Sequence, residues 1–330
     1  MLKPLPRHIE NSVEDLKPFA KIRLVVADLD GTLLTPEESL IWEEILKFKN
    51  RINHYNTKLT IATGRTLHGV KSIIEFLEIQ KGIPIVLYNG SLVIINGTFQ
   101  TIVKKTIPLE TLKQILKLTK GGSVQILAYF YEGDSLREKT PSSKDFEYVL
   151  GWSEIERPEH EFNKMPVKWL DWEDSPTRPS SLLAWLDWEN SPAPSSLLAI
   201  LIDTTSDVAG GDLIEKAVNK ISGITVTRSG TRFLEIRPVG SDKGRAIEES
   251  CSSLGYRREE ILAIGDNDND AELLAWAGIG VAVKSSSKKA FDSSDYICEY
   301  DSTRGAIEVL RLVRDARRYY ENDQKIKLTL

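Results

Sequence analysis

Two apolar runs in this 330-residue chain each end abruptly in carboxylates, and that pairing constrains the fold more than any other feature. The first run, IRLVVA (22–27), leads straight into DLDGT; the second, EILAI (260–264), leads into GDNDND (265–270). An unbroken apolar run of this length suits a strand buried on both faces of a parallel sheet. In open α/β sheets ligands bind at the carboxyl ends of the strands. Two such ends side by side would bring Asp28, Asp30 and Asp266 around one point. Buried unpaired charge is costly, so these carboxylates need partners. Hard oxygen donors in that number suit Mg²⁺. GDNDND also looks like the start of a calcium EF-hand loop, but Ala271 stands where that loop needs Gly and Ala277 where it needs Glu.

The surrounding pattern supports a doubly wound parallel sheet. After the first strand, Ile41, Ile45, Phe48 and Ile52 form one helical stripe. KLTIATGR then reads as strand and turn, with Thr66 as N-cap of a helix carrying Val70, Ile73, Ile74 and Leu77. IPIVLYNG is a third strand, so the opening reads β-α-β-α-β. The style then changes. Asn96-Gly97 and Ser229-Gly230 are hairpin turns, with a helix from about 109 to 120, the strand SVQILAYF and a helix over AGGDLIEKAVNKIS between them. From Ser241 the parallel alternation resumes. The expected organisation is a discontinuous α/β core (1–87 and 241–330) with an inserted α+β cap domain (88–240).

Composition narrows the class. Net charge is −5, which argues against a nucleic-acid surface. Cys251 and Cys298 form no CxxC and read as small apolar fillers in a reducing compartment. No apolar run reaches the ~18 residues of a membrane span, and the N-terminus has no signal-peptide core. A cytoplasmic protein, monomer or homodimer, is expected. His8, His54, His68 and His160 have no metal spacing; His68 lies near the turn after ATGR.

One segment is unusual. WLDWEDSPTRPSSLLA (169–184) is followed at once by WLDWENSPAPSSLLA (185–199). Two copies are too few for a solenoid. SLLAWLD and SLLAILI compete for one strand position. A surface-loop duplication is the plain reading. Trp169, Trp172, Trp185 and Trp188 keep open an interface or a substrate lid.

Two further motifs complete the chemistry. Thr63 and Gly64, after the second core strand, offer a hydroxyl and backbone N–H groups at a helix start, which suits an anion. Lys243, in SDKG at the return into the core, can neutralise charge that builds on a phosphate.

In order, DLDGT, ATGR, SDKG and GDNDND resemble the haloacid dehalogenase (HAD) superfamily of phosphatases, with the match running from about Arg23 to Val313. YNG (88–90), the FLEIRP strand and AWAGIGVAV are similar to its Cof-type subgroup with a large α+β cap. The resemblance implies an HAD-like core and a Mg²⁺-dependent phosphatase acting on a small phosphorylated metabolite, such as a sugar phosphate. It implies Asp28 as nucleophile and Asp30 as acid and base. Mg²⁺ would sit on the Asp28 and Asp266 carboxylates and the Asp30 carbonyl. Thr63, Gly64, Asn89, Lys243 and Asn269 would contact phosphate or substrate, and Asp270 would orient Lys243 or a metal-bound water. Phosphomannomutase-like, mannosyl-3-phosphoglycerate phosphatase-like and sucrose-phosphate phosphatase-like enzymes are alternatives within the class. A non-catalytic phosphometabolite-binding regulator is the alternative outside it. One departure is Lys284-Ser285-Ser286-Ser287, where the subgroup has a Gly-Asn-Ala loop.

Overall fold

The computed structural model describes residues 3–6, 13–34, 42–131, 147–153, 165, 167–170, 196–229 and 232–329. The chain divides into two compact units. The first comprises Met1–Gly64, Ser72–Val103 and Asp242–Leu330; the second comprises Arg65–Lys71 and Lys104–Ser241. Among the described residues no helix is long and apolar enough to cross a membrane.

The first unit opens with β1 (Lys3–Pro4), α1 (Val13–Ala20), β2 (Leu24–Ala27), α2 (Trp42–His54) and β3 (Lys58–Ile61). α3 (Leu67–Phe76), whose first residues belong to the second unit, precedes β4 (Pro84–Leu87), β5 (Leu92–Ile95) and β6 (Thr101–Lys104). All four residues of β2 are buried, as the apolar run requires. α2 buries Ile45, Phe48 and Ile52. It carries Glu43 and Glu44 in its first turn and Arg51 and His54 in its last, which complements the helix dipole.

The expected boundary at 88 does not coincide with the division between the units. Residues 88–103 belong to the first unit. The reason is pairing: β4 runs antiparallel to β5, and β4, β5 and β6 form one three-stranded sheet. A single parallel bridge, Ala62 to Val86, links β4 to the residue after β3.

The second unit holds α4 (Leu109–Thr119), β7 (Gln125–Tyr131), β8 (Glu147–Ser153), β9 (Val167–Leu170), β10 (Ser196–Asp203), α5 (Val208–Val218), β11 (Ile224–Ser229) and β12 (Phe233–Pro238). Its sheet order is β11-β12-β10-β7-β8-β9. All pairs are antiparallel except β8–β9, which is parallel. Ile126, Ala128 and Phe130 alternate along β7 and join Trp152, Ile202, Leu234 and Ile236 in one core. Leu112, Ile115 and Leu116 of α4 and Ile214 and Val218 of α5 belong to the same core. Each such large side chain contributes about 1.5–3 kcal/mol. The second repeat copy supplies the strand, since Ser196–Ala199 opens β10. Trp169 lies half-buried on β9, while Trp172, Trp185, Trp188 and the first SLLA lie outside the described residues.

The chain returns to the first unit through α6 (Lys243–Ser253), β13 (Ile261–Gly265), α7 (Ala271–Trp276), β14 (Ile279–Ala282), α8 (Lys288–Asp292), β15 (Tyr296–Ile297) and α9 (Ser302–Thr329). α9 continues past Asp323, where fraying is the expectation from its polar sequence. The six-stranded sheet has the order β1-β15-β14-β13-β2-β3 and is parallel throughout. β13 sits directly beside β2, with Ile264 opposite Ala27. The two acidic strand ends are therefore neighbours. Both cysteines are buried and free.

Candidate active site

Asp28 follows the last residue of β2, and its N–H donates to Ile264 of β13 (2.9 Å). That bond fixes the nucleus of the site: the first carboxylate lies at the seam between the two central strands. Lys243 arrives from α6. Asp242 caps that helix, its carboxylate accepting from the Arg245 N–H (2.8 Å), which makes Lys243 the first helical residue. The Lys243 side chain is fully buried. Its Nζ donates to Asp28 Oδ1 (2.6 Å) and to Asp270 Oδ1 (2.6 Å). Asp270 Oδ2 in turn accepts from the N–H groups of Asp266 (3.2 Å) and Asn267 (3.0 Å), which ties the GDNDND turn around it. Thr32, the threonine of DLDGT, donates to Asp266 Oδ1 (2.8 Å).

Between these loops Gly31 is required. Its φ is +87°, and an added Cβ would lie 2.4 Å from Asp266 Oδ2. The serine loop that departs from the subgroup also has a place. The Ser287 N–H donates to the Asp266 carbonyl (2.7 Å), its hydroxyl donates to Asp268 Oδ1 (2.6 Å), and Ser286 donates to Val283 (2.7 Å). Lys284-Ser285-Ser286-Ser287 thus braces the acidic turn.

The electrostatics of the cluster are unbalanced. Oxygens of Asp28, Asp266 and Asp270 lie within 4.8 Å of one another. One ammonium faces three carboxylates. Burial pushes Asp28 well above the ordinary carboxyl range; Lys243 offsets this in part, and Asp270 and Asp266 add to it. Asp266 is pushed up to about 6 by burial, which the Thr32 bond and Lys243 offset in part and to which Asp270 and Asp30 add. Burial alone would lower Lys243, but Asp270 and Asp28 carry it above its usual value, so it stays a cation. A surplus of buried, hard oxygen donors fits a divalent cation. Asp270 is already committed to Lys243 and to two N–H groups, which leaves Asp28 and Asp266 as the carboxylates best placed for one. The exposed Asp30 side chain is outside the converging group; its expected share in a metal site is its backbone carbonyl.

Thr63 and Gly64 follow β3, the strand that pairs with β2. Thr63 is fully buried; its N–H donates to Val86 (3.0 Å) and its carbonyl accepts from Asn89 (2.9 Å). The expectation of available donors at the start of α3 needs correction. Thr66 Oγ1 accepts from Gly69 as predicted (2.9 Å). The Leu67 and His68 N–H groups, however, donate to the Glu147 carboxylate of β8 (2.8 and 2.7 Å). A protein carboxylate occupies that helix start. His68 takes part through its backbone. Sequence reasoning missed Glu147 and Thr32. Thr32 stands inside DLDGT, whereas Glu147 carries no local signal.

The turn after β4 is strained. Tyr88, Asn89 and Gly90 all have positive φ (+49°, +50° and +95°), and Tyr88 and Asn89 are buried. Left-handed backbone at a non-glycine residue costs about 1–2 kcal/mol and concentrates at functional sites. Asn89 Oδ1 accepts from Asn269 Nδ2 (3.0 Å).

The fold and this site define a haloacid dehalogenase-like hydrolase. The chain belongs to that family, whose model matches residues 25–310. Among curated proteins it is similar to 5-amino-6-(5-phospho-D-ribitylamino)uracil phosphatase YcsE of Bacillus subtilis, at 22% identity over 294 residues, covering 88% of this chain and 95% of that protein. Among solved structures it resembles a haloacid dehalogenase-like hydrolase from Bacteroides thetaiotaomicron, with TM-score 0.66 and 23% identity over 88% of this chain and 98% of that one. It also resembles a sugar phosphatase of HAD subclass IIB, with TM-score 0.61 and 18% identity over 91% of this chain and 99% of that one. At these identities the structural likeness establishes the shared fold: an α/β core with a parallel sheet and a separate, mainly antiparallel insert.

Proposed function

We propose that this chain is a magnesium-dependent phosphatase that hydrolyses the phosphate monoester of a small metabolite, with a sugar phosphate as the first class to test, through an aspartyl-phosphate on Asp28. The observation that carries the reading is the buried contact of Lys243 with both Asp28 and Asp270 at the junction of β2 and β13. A lysine and two carboxylates, with a third half-buried beside them, are costly to bury for stability alone. The sugar-phosphate class is supported by the likeness to the HAD subclass IIB sugar phosphatase and to YcsE, whose name specifies a phosphorylated ribityl group.

In this reading an Asp28 oxygen attacks phosphorus, the P–O bond to the leaving group breaks, and Asp30 gives its proton to the departing oxygen. The exposure of Asp30 suits a group that must reach a leaving group and then water. The Asp30 carboxylate next takes a proton from water, whose oxygen attacks phosphorus and releases phosphate and Asp28. A carboxylate nucleophile thus splits one hard displacement into two easier ones. Lys243 and Thr63 hold the phosphoryl oxygens, and Asp270 holds Lys243 in place. Asp28, Asp266 and the Asp30 carbonyl would hold Mg²⁺, which would supply positive charge that favours ionised carboxylates and counters charge on the phosphoryl oxygens.

The test is release of inorganic phosphate from a panel of sugar and polyol phosphates, with Mg²⁺ and after chelation. Asp28→Asn should lower the rate by at least about 10³-fold. Equal rates for the wild-type and Asp28→Asn proteins would remove Asp28 as the nucleophile.

A further inference from the structure

Three loops of the first unit meet at Asn89. Its N–H donates to the Thr63 carbonyl (2.9 Å). Its Oδ1 accepts from Asn269 Nδ2 (3.0 Å). Its amide also packs so tightly on Gly64 that a Cβ there would lie 2.9 Å from Nδ2 and 3.3 Å from Cγ. The Gly64 position therefore serves the approach of this side chain. Asn89 itself is buried and left-handed, as are its neighbours Tyr88 and Gly90. An extended exit from β4 would separate its N–H from Thr63 and its amide from Asn269. The unusual backbone is what lets one residue reach both.

Asn269 gains a fixed direction from this contact. One end of its amide is committed to Asn89, and its Oδ1 is buried with no hydrogen-bond partner among the described residues. A buried amide oxygen in that state is costly unless something else completes it. The local hydrogen bonds thus orient Asn269 without satisfying it.

We propose that Asn89 is a positioning residue. It sets the Asn269 amide in register with the Thr63–Gly64 arm and acts on substrate through Asn269, without touching substrate itself. This replaces the expectation that Asn89 is a direct phosphate or substrate contact, and its kinetic arm rests on the phosphatase reading.

The experiment is a double-mutant cycle on the full chain. Asn89→Gly leaves the left-handed backbone accessible and deletes the amide; Asn269→Ala deletes the group it orients. With a generic aryl phosphate and Mg²⁺, each single variant should lose about tenfold in kcat/KM, the size of one hydrogen bond. Both should divide that loss between KM and kcat in the same ratio. The double variant should lose little more than either single one. Losses that multiply to about a hundredfold, or opposite KM and kcat patterns, overturn the proposal, because Asn89 would then act independently of Asn269. A second arm needs no turnover: a crystal structure of Asn89→Gly should show the Asn269 amide rotated or shifted from the place it takes in wild-type protein, where it donates to Asn89. An unmoved Asn269 overturns the positioning role. If wild-type protein hydrolyses no phosphate ester while Asn269 moves in the variant, the phosphatase reading falls and the positioning role stands.

Discussion

Both compact units bury an aspartate beside a cation, and they hold it in opposite ways. In the first unit Asp28 shares one buried ammonium with Asp270 and stands near Asp266, so burial and like charge drive its pKa up. In the second unit burial also raises Asp203, but hydrogen bonds from the Thr205 hydroxyl and N–H and from Arg232 outweigh it and lower its pKa. The same residue type is thus strained toward neutrality in one unit and satisfied as an anion in the other. The difference separates a site from a scaffold. Natural proteins tolerate destabilised charge where chemistry requires it. The insert instead spends its interior on apolar packing, with Phe130 and Tyr148 stacked at 4.9 Å and 4° over a core that includes Trp152.

The largest effect that could break this contrast is Lys243→Met. It leaves Asp28 and Asp270 buried without their shared cation, and removing one partner of a buried ion pair costs about 3–5 kcal/mol. Denaturant unfolding of the metal-free variant should show that loss, and phosphatase activity should vanish with it. A variant as stable as wild type would mean that water already reaches these carboxylates, and the picture of a strained cluster would fail.

A smaller effect concerns Glu147, a charge of the second unit that is satisfied by backbone. Glu147→Ala leaves the Leu67 and His68 N–H groups without their carboxylate. The expected cost is about 1–3 kcal/mol, toward the low end because water can reach the partly buried His68 bond. Hydrogen exchange at these two amides should quicken, while Gly69, capped by Thr66, changes less. Equal protection in both proteins would show that the carboxylate is dispensable to the helix start.

These cases also mark what could be read from the chain. The central strands and the acidic ends were legible because both signals are local: an unbroken apolar run, then carboxylates. Adjacency of β2 and β13 was a condition of the reading and not a result of it; the pairing of Ile264 with Ala27 supplies it. Thr66 was legible as a cap because it adjoins its own helix. Glu147 was not, since it caps a helix from 80 positions away in sequence. β8 was missed with it: Gly151 interrupts EYVLGWS, and nothing nearby marks its partner strands. Asn-Gly at 89–90 hints at a turn, but no local rule puts Tyr88 in the left-handed region. The pairing of β5 with β4, which keeps residues 88–103 with the first unit, likewise depends on tertiary structure.

The smallest predicted effect is the most direct test of the opening contrast, because one substitution should act with opposite signs in the two units. Asp203→Asn removes a carboxylate whose folded pKa lies below its unfolded value. The stability it contributes is present above about pH 4, the unfolded carboxyl range, and is lost as pH falls through the folded pKa. Near pH 7 the variant should therefore be less stable. The loss should stay below about 1 kcal/mol, because Arg232 is more than half exposed and solvent screens the pair. Below the folded pKa both proteins carry a neutral side chain and their curves should converge. Asp28→Asn should do the reverse in metal-free protein at pH 7: it removes one of three crowded carboxylates and should raise the melting temperature while abolishing turnover. Thermal melts of both variants from pH 3 to 8, read against wild type, decide the matter. Two shifts of the same sign would show that the two aspartates differ in location alone.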